Sequence, residues 1–169
     1  MKPEENRNME LTAFVHEGEL LPAYRELKDF PAIAEICDDN GIVMEILYLL
    51  PPSDIPQREL RRDLRIDLEF TLKNNVIKSA SQIVDGNYAS LGTIRTRKGP
   101  ETMFSLMQGE NWSPQGEARD FIQGKGLQHT SMSVGDIIKA GGKHYFVDMV
   151  GFSCIEDVLA KDQDLLLGR

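Results

Sequence analysis

The sequence predicts an α+β fold with mostly antiparallel strands and short helices, arranged as two packed halves. Three observations support this prediction. Apolar residues occur in strand-length runs and alternations, turn-forming residues separate these segments, and one pair of segments flanks a Gly-Gly turn as in a hairpin. Stretches with helical spacing are short, which favours small helices between the strands.

The N-terminal half is expected to span residues 9–85, after a flexible tail at residues 1–8. Its first elements follow from alternation, helical spacing and turn residues. They are, in order, a strand at 9–16, short helices at 20–27 and 31–37, a stop at Asn40-Gly41, and a strand at 42–50. The last segment is nearly all apolar between Asn-Gly and Pro-Pro pairs, which favours a central strand.

The clearest alternation in the chain runs from Leu64 to Lys73. Apolar residues occupy every second position from Leu64 to Leu72, and charged or polar residues fill the gaps. A helix over residues 57–73 would scatter these apolar residues around its axis, whereas a strand gathers them on one face. The pattern therefore predicts a half-exposed strand, with the helix as the alternative. Residues 76–84 follow as a strand or a short helix.

The turn sequence Asp85-Gly86-Asn87 marks the predicted start of the second half, an α+β module at residues 86–157. Its predicted elements are a strand at 88–96, a helix at 101–108, a helical turn at 117–123, and strands at 133–138 and 144–150 around the Gly-Gly turn. A helix begins near residue 155, and residues 158–169 are expected to form a C-terminal helix or tail.

Composition excludes several classes of protein. The 169 residues include 27 acidic and 19 basic side chains, a net charge of −8, which argues against broad binding to a phosphate backbone. No apolar run approaches the roughly 20 residues that span a bilayer, and the first residues resemble no secretory signal. Cys37 and Cys154 have no cysteine or histidine at metal-ligand spacing. We therefore expect a cytoplasmic protein without a disulfide, metal or cofactor.

A short motif in the second half suggests a family. His129-Thr130 precedes Ser-Met-Ser-Val-Gly-Asp at 131–136, and Val150-Gly151-Phe152 follows the hairpin. This string resembles the YodL-like domain of small proteins from phages, plasmids and bacterial chromosomes, in which Ser-x-Ser-Val-Gly-Asp leads into a strand and Gly-Phe closes the module. The likeness covers roughly residues 86–157. It implies an accessory protein of a mobile element more than a particular chemistry.

His129, Ser131 and Asp136 are the residue types of a hydrolase triad, but they lie within eight positions of one another. A triad brings its partners from distant segments to a strained nucleophile turn, and no Gly-x-Ser-x-Gly is present. The simpler interpretation is structural. Gly135 takes a backbone conformation closed to side chains, and Asp136 accepts hydrogen bonds from free N–H groups of the turn. We therefore predict no catalytic residues and no enzyme activity.

The function predicted from the sequence is binding to a host protein, such as a defence or regulatory factor, that this chain inhibits or modulates. The acidic charge favours a partner with a basic surface. The predicted contact residues are Trp112, His129, Ser131 and Tyr145.

A nucleic-acid-binding module is the alternative, since the Val-Gly-Asp strand entry also resembles small β-barrels of the PUA and ASCH type. The basic cluster of Arg95, Arg97 and Lys98 would then neutralise phosphates. Trp112 and Tyr145 would stack on bases beside it.

Overall fold

The computed structural model describes residues 15–16, 19–20, 24–109 and 112–166, with side chains described between residues 24 and 161. The predicted tail at 1–8 and most of the predicted strand at 9–16 lie outside the described residues. One five-stranded antiparallel sheet has helices on both faces. The predicted α+β class with antiparallel strands is confirmed. No helix in these ranges has the length and hydropathy needed to span a membrane.

The elements are numbered here in chain order. Before the main sheet come β1 (Val15–His16) and β2 (Glu19–Leu20), a 3-10 helix (Leu27–Asp29) and α1 (Pro31–Ile36). The strands of the main sheet are β3 (Cys37–Leu49), β4 (Tyr88–Thr96), β5 (Ile137–Ala140), β6 (Lys143–Val147) and β7 (Phe152–Cys154). The other helices are α2 (Ile55–Ile66), α3 (Leu68–Asn74), α4 (Ser81–Val84), α5 (Pro100–Leu106), α6 (Arg119–Gly124) and α7 (Ile155–Leu166).

The sheet order is β4-β3-β5-β6-β7. Strand β3 belongs to the predicted N-terminal half, yet it lies between two strands of the predicted C-terminal half. Ile46 of β3, for example, is opposite Gly92 on one side and Ile138 on the other. The predicted boundary near residue 85 therefore falls between two strands that pair within one sheet.

Strand β3 builds two cores because its successive side chains point to opposite faces. Met44, Ile46 and Tyr48 pack with residues of the 3-10 helix, α1, α5 and α6. Leu47 and Leu49 pack with residues of α2, α3, α4 and α7. Both faces of the strand are covered in this region, which explains its nearly continuous apolar sequence.

The strand predicted at residues 64–73 is wrong, because this segment forms the end of α2 and most of α3. The buried leucines recur every four residues, as one face of a helix requires: Leu64, Leu68 and Leu72. The intervening Ile66 and Phe70 are 69% and 62% exposed. Between the two helices, Asp67 has an extended backbone and accepts a hydrogen bond from the Phe70 N–H, which caps α3.

The helix predicted at 20–27 is also wrong: Leu20 lies in β2 and residues 24–26 are not helical. The predicted stop at Asn40-Gly41 lies within β3, where pairing with β4 is interrupted. Cys37 and Ile42 are both opposite Thr96, so residues 38–41 bulge from the strand. A Cβ atom on Gly41 would lie 2.2 Å from the carbonyl carbon of Thr96, so this close approach requires glycine.

Candidate functional site

The loop between α6 and β5, residues 125–136, contains the sequence motif. Asp136 ends this loop and is only 1% exposed. Its carboxylate accepts hydrogen bonds from the backbone N–H of Leu49 at 2.9 Å and of Ser133 at 2.8 Å, and it contacts His129 Nε2 at 2.8 Å. Burial raises the pKa of the Asp136 carboxyl, and His129 and the two N–H donors oppose that rise.

Two tyrosines hold loop 125–136 against the sheet. The His129 ring stacks on the Tyr48 ring with 4.6 Å between centroids and 8° between planes. The Tyr48 hydroxyl donates to the Thr130 carbonyl at 2.8 Å, and the Tyr88 hydroxyl donates to the Gly135 carbonyl at 2.7 Å. Burial raises the pKa of both phenols, so both remain donors. The loop is therefore fixed at several points.

The arrangement differs from that of a catalytic triad. Both carboxylate oxygens of Asp136 lie within 3.0 Å of the same His129 atom, Nε2. A triad needs the second ring nitrogen bonded to a nucleophile. Within the described ranges, no hydrogen bond joins the Ser131 hydroxyl to His129. His129 and Asp136 instead hold the loop together. Gly135, next to Asp136, has a φ of +103°, a conformation that favours glycine.

A cavity of about 180 Å³ opens beside His129, which we call the polar cavity. His129 is 27% exposed there, whereas its partner Asp136 is buried behind it. The polar side chains lining this cavity are Arg119, Gln123, Gln128, His129, Thr130 and Ser131. The predicted contact residues His129 and Ser131 therefore do share a surface.

A larger cavity of about 550 Å³ lies along α5, β6 and β7, which we call the aromatic groove. Its principal lining residues are Glu101, Phe104, Tyr145, Phe152, Cys154 and Asp157. The Phe104 and Phe152 rings meet edge to face with centroids 6.0 Å apart. Asp157 contacts Lys143 Nζ at 3.2 Å. The groove combines aromatic walls with carboxylates at its rim.

The turn between β6 and β7 exposes two apolar side chains, Met149 at 74% and Val150 at 91%. We call them the Met149–Val150 tip. Asp148 holds the turn: its N–H donates to the Gly151 carbonyl at 2.9 Å, and its carboxylate accepts from the Met149 N–H and the Ser153 hydroxyl. Sequence reasoning missed this tip by extending the strand to residue 150. An apolar pair between Asp and Gly was the signal that could have found it.

The predicted role of Trp112 as a partner contact is wrong, because Trp112 is 2% exposed and belongs to the core. The centroid of its ring lies 4.8 Å from that of Phe30 and 6.2 Å from that of Phe121. Tyr145 lines the aromatic groove, away from the polar cavity that contains His129 and Ser131. The four predicted contact residues therefore do not form one surface.

The basic cluster lies at the end of β4, and Tyr145 lies on a different strand of the sheet. Arg95 is on β4 and Tyr145 is on β6, three strands away or about 14 Å at the usual strand spacing. Arg97 Nε contacts Asp38 at 2.9 Å, and Arg95 donates to the Gly41 carbonyl. Lys98 follows as an exposed residue. Because Trp112 is buried and Tyr145 is distant, the predicted aromatic stacking beside these cations is not formed.

In the described part of the chain, no group of three or more His, Cys, Asp or Glu side chains could hold a metal ion. Comparison with known proteins gives no match to a family model, a curated protein or a solved structure. The resemblance to the YodL-like domain therefore stays a prediction. The polar cavity, the aromatic groove and the Met149–Val150 tip are candidate binding surfaces.

Proposed function

We propose that this chain acts by binding another protein and catalyses no reaction of its own. The observation that supports this most strongly is the Met149–Val150 tip beside the aromatic groove, since Gly151 and Phe152 of the same turn and strand line that groove. Exposed methionine and aromatic side chains are enriched where proteins bind one another. Asp148 already fixes the turn, so little conformational freedom would be lost on binding.

The chemistry of the aromatic groove indicates what the partner presents. A cation above an aromatic ring is attracted by the ring face. Glu101 lies at the rim and, among the described residues, makes no ion pair. The net charge of −8 adds long-range attraction for a basic surface. The partner segment therefore carries an arginine or lysine that binds in the aromatic groove. An apolar side chain next to it packs against the Met149–Val150 tip.

The biological setting of the proposal rests on the resemblance to the YodL-like domain. That setting is a mobile element acting on its host, so the partner is a host protein such as a defence or regulatory factor, which binding inhibits or modulates. His129 and Asp136 take part in holding loop 125–136 in place, which supports a role without catalysis.

The test is capture of proteins from a bacterial lysate by the tagged full chain, with and without nuclease, compared across three chains. We expect the wild type to retain a partner after nuclease treatment and the Val150→Asp variant to lose it. Ile66→Asp is the matched control, because Ile66 is also an exposed apolar residue, 69% exposed, on a different surface.

The control separates loss of a specific contact from a general effect of added charge. Retention of the same proteins by all three chains would contradict the proposal. Partners that disappear from the wild type on nuclease treatment would instead support the nucleic-acid alternative, whose binding should fall steeply with salt concentration.

A further inference from the structure

The polar cavity beside His129 has an unusual composition for this chain. The sequence has 27 acidic side chains, yet none of the described residues lining this cavity is acidic. Its walls instead hold a guanidinium group, two amides, two hydroxyls and an imidazole. Nearly all of these are groups that donate hydrogen bonds.

The donors of the polar cavity are not committed elsewhere. The side chains of Arg119, Gln123 and Gln128 make no hydrogen bond or ion pair with any described residue, and neither does the Ser131 hydroxyl. His129 uses Nε2 for Asp136 and leaves Nδ1 for a ligand, to which Nδ1 donates when the ring carries both protons as an imidazolium. The cavity therefore offers unused donors, and none of its described lining residues carries a carboxylate.

His129 is positioned before any ligand arrives. The buried Asp136 carboxylate fixes the ring at one nitrogen, and the parallel Tyr48 ring fixes its plane. Held in this way, the imidazole loses little freedom on binding a ligand. Asp136 thus acts on the cavity through His129 and does not line it.

We propose that the polar cavity binds a small tetrahedral oxyanion, either inorganic phosphate or a single phosphoryl group. Phosphate oxygens accept several hydrogen bonds at once, and an arginine guanidinium matches them with two parallel donors. The volume of about 180 Å³ is below the roughly 300 to 1,000 Å³ typical of drug-sized ligands, so the ligand is small. This site is separate from the aromatic groove and does not depend on the proposed function.

The test is a titration of the ¹⁵N-labelled full chain with inorganic phosphate at constant ionic strength, followed by amide chemical shifts. We expect saturable shifts at residues of 119–131 and an affinity at least about tenfold weaker in Arg119→Gln, which removes a charge-assisted contact. Arg58→Gln is the matched control, since it removes the same charge from an exposed residue of α2 outside the cavity. Its affinity should equal that of the wild type.

Three results would overturn the proposal. Shifts that fail to saturate, or that chloride reproduces, would show only general ionic effects. Equal weakening in Arg119→Gln and Arg58→Gln would show that overall charge, and not the cavity, attracts the ion. Acetate binding as tightly as phosphate would contradict a tetrahedral ligand. Thermal unfolding of both variants checks that each remains folded.

Discussion

The two histidine–carboxylate pairs among the described side chains differ chiefly in burial. In the first, Asp136 is 1% exposed and holds His129 at 2.8 Å. In the second, Glu156 is 33% exposed and accepts hydrogen bonds from the ring and backbone N–H of His144 at 2.6 and 2.7 Å. The contact distances are similar, so distance alone does not separate the two pairs.

Burial gives the two pairs different roles. The buried carboxylate of Asp136 cannot replace a lost protein donor with water. Loss of a donor therefore leaves part of the free-energy cost of burying the charge uncompensated, which destabilises the folded protein. Glu156 keeps partial contact with water and joins β6 to the first turn of α7. The buried pair should therefore determine the shape of loop 125–136, whereas the exposed pair should make only a small contribution to stability.

The largest expected effect comes from Asp136→Asn. The amide keeps the size of the carboxylate but turns an N–H₂ group toward neighbours that are themselves donors, so at least one buried donor loses its acceptor. We expect a loss of about 3 kcal/mol in the free energy of unfolding, measured by urea titration at neutral pH. A loss no larger than that of Glu156→Gln, the equivalent change in the exposed pair, would contradict the comparison.

A smaller effect is expected from Gly135→Ala, which tests the turn next to the buried pair. Gly135 has a φ of +103°, and a Cβ atom there would lie 3.2 Å from both Arg65 Nε and Leu49 Cδ2. We expect a loss of about 2 kcal/mol in the same urea titration. In Gly142→Ala the φ is +81° but no atom lies within 4 Å, so only the backbone cost of about 1 kcal/mol should remain. Equal losses in Gly135→Ala and Gly142→Ala would show that the contacts around Gly135 add nothing to the backbone cost of the substitution.

Much of the fold follows from local sequence. Residues 88–96 lie between turn sequences at both ends, and β4 has the predicted bounds. At 64–73 the alternation led to the wrong prediction, because every second apolar residue of an alternation also satisfies helical spacing. Only the packing against the sheet decides which of the two periods is used.

The candidate sites were less predictable because they depend on distant segments. His129 and Asp136 are close in sequence, but the Leu49 N–H that completes the carboxylate's environment is 87 residues away from Asp136. Tyr48, on which His129 stacks, is similarly remote. The sequence pattern gave no reason to place β3 under the loop. The exposed pair likewise joins residues 12 positions apart on β6 and α7, with no motif to mark it.

Tyr48→Phe should have a third, smaller effect, since it keeps the ring on which His129 stacks but removes the hydroxyl that donates to the Thr130 carbonyl. We expect a loss of about 1 kcal/mol in unfolding free energy, the usual value for one buried hydrogen bond. Faster amide hydrogen exchange should appear at residues near Thr130. A change in stability without altered exchange in loop 125–136 would contradict an anchoring role for the hydroxyl.

The smallest effect is expected from Glu156→Gln, and it should depend on pH. Burial raises the pKa of the Glu156 carboxyl, but the hydrogen bonds from the His144 N–H and ring outweigh this and leave it below its ordinary value of 4.5. A carboxyl whose pKa is lowered by folding stabilises the protein above its unfolded pKa. That contribution disappears as the pH falls through the folded pKa.

At about pH 5.5 we therefore expect Glu156→Gln to be less stable than the wild type by less than about 1 kcal/mol, as for other partly exposed ion pairs. At pH 3 the difference should shrink, because the wild-type carboxyl is then becoming neutral like the amide. Urea titrations at both pH values make the measurement, and Glu59→Gln, an exposed carboxylate of α2, is the control. A difference that persists unchanged at pH 3 would show that packing of Glu156, and not its charge, stabilises the exposed pair.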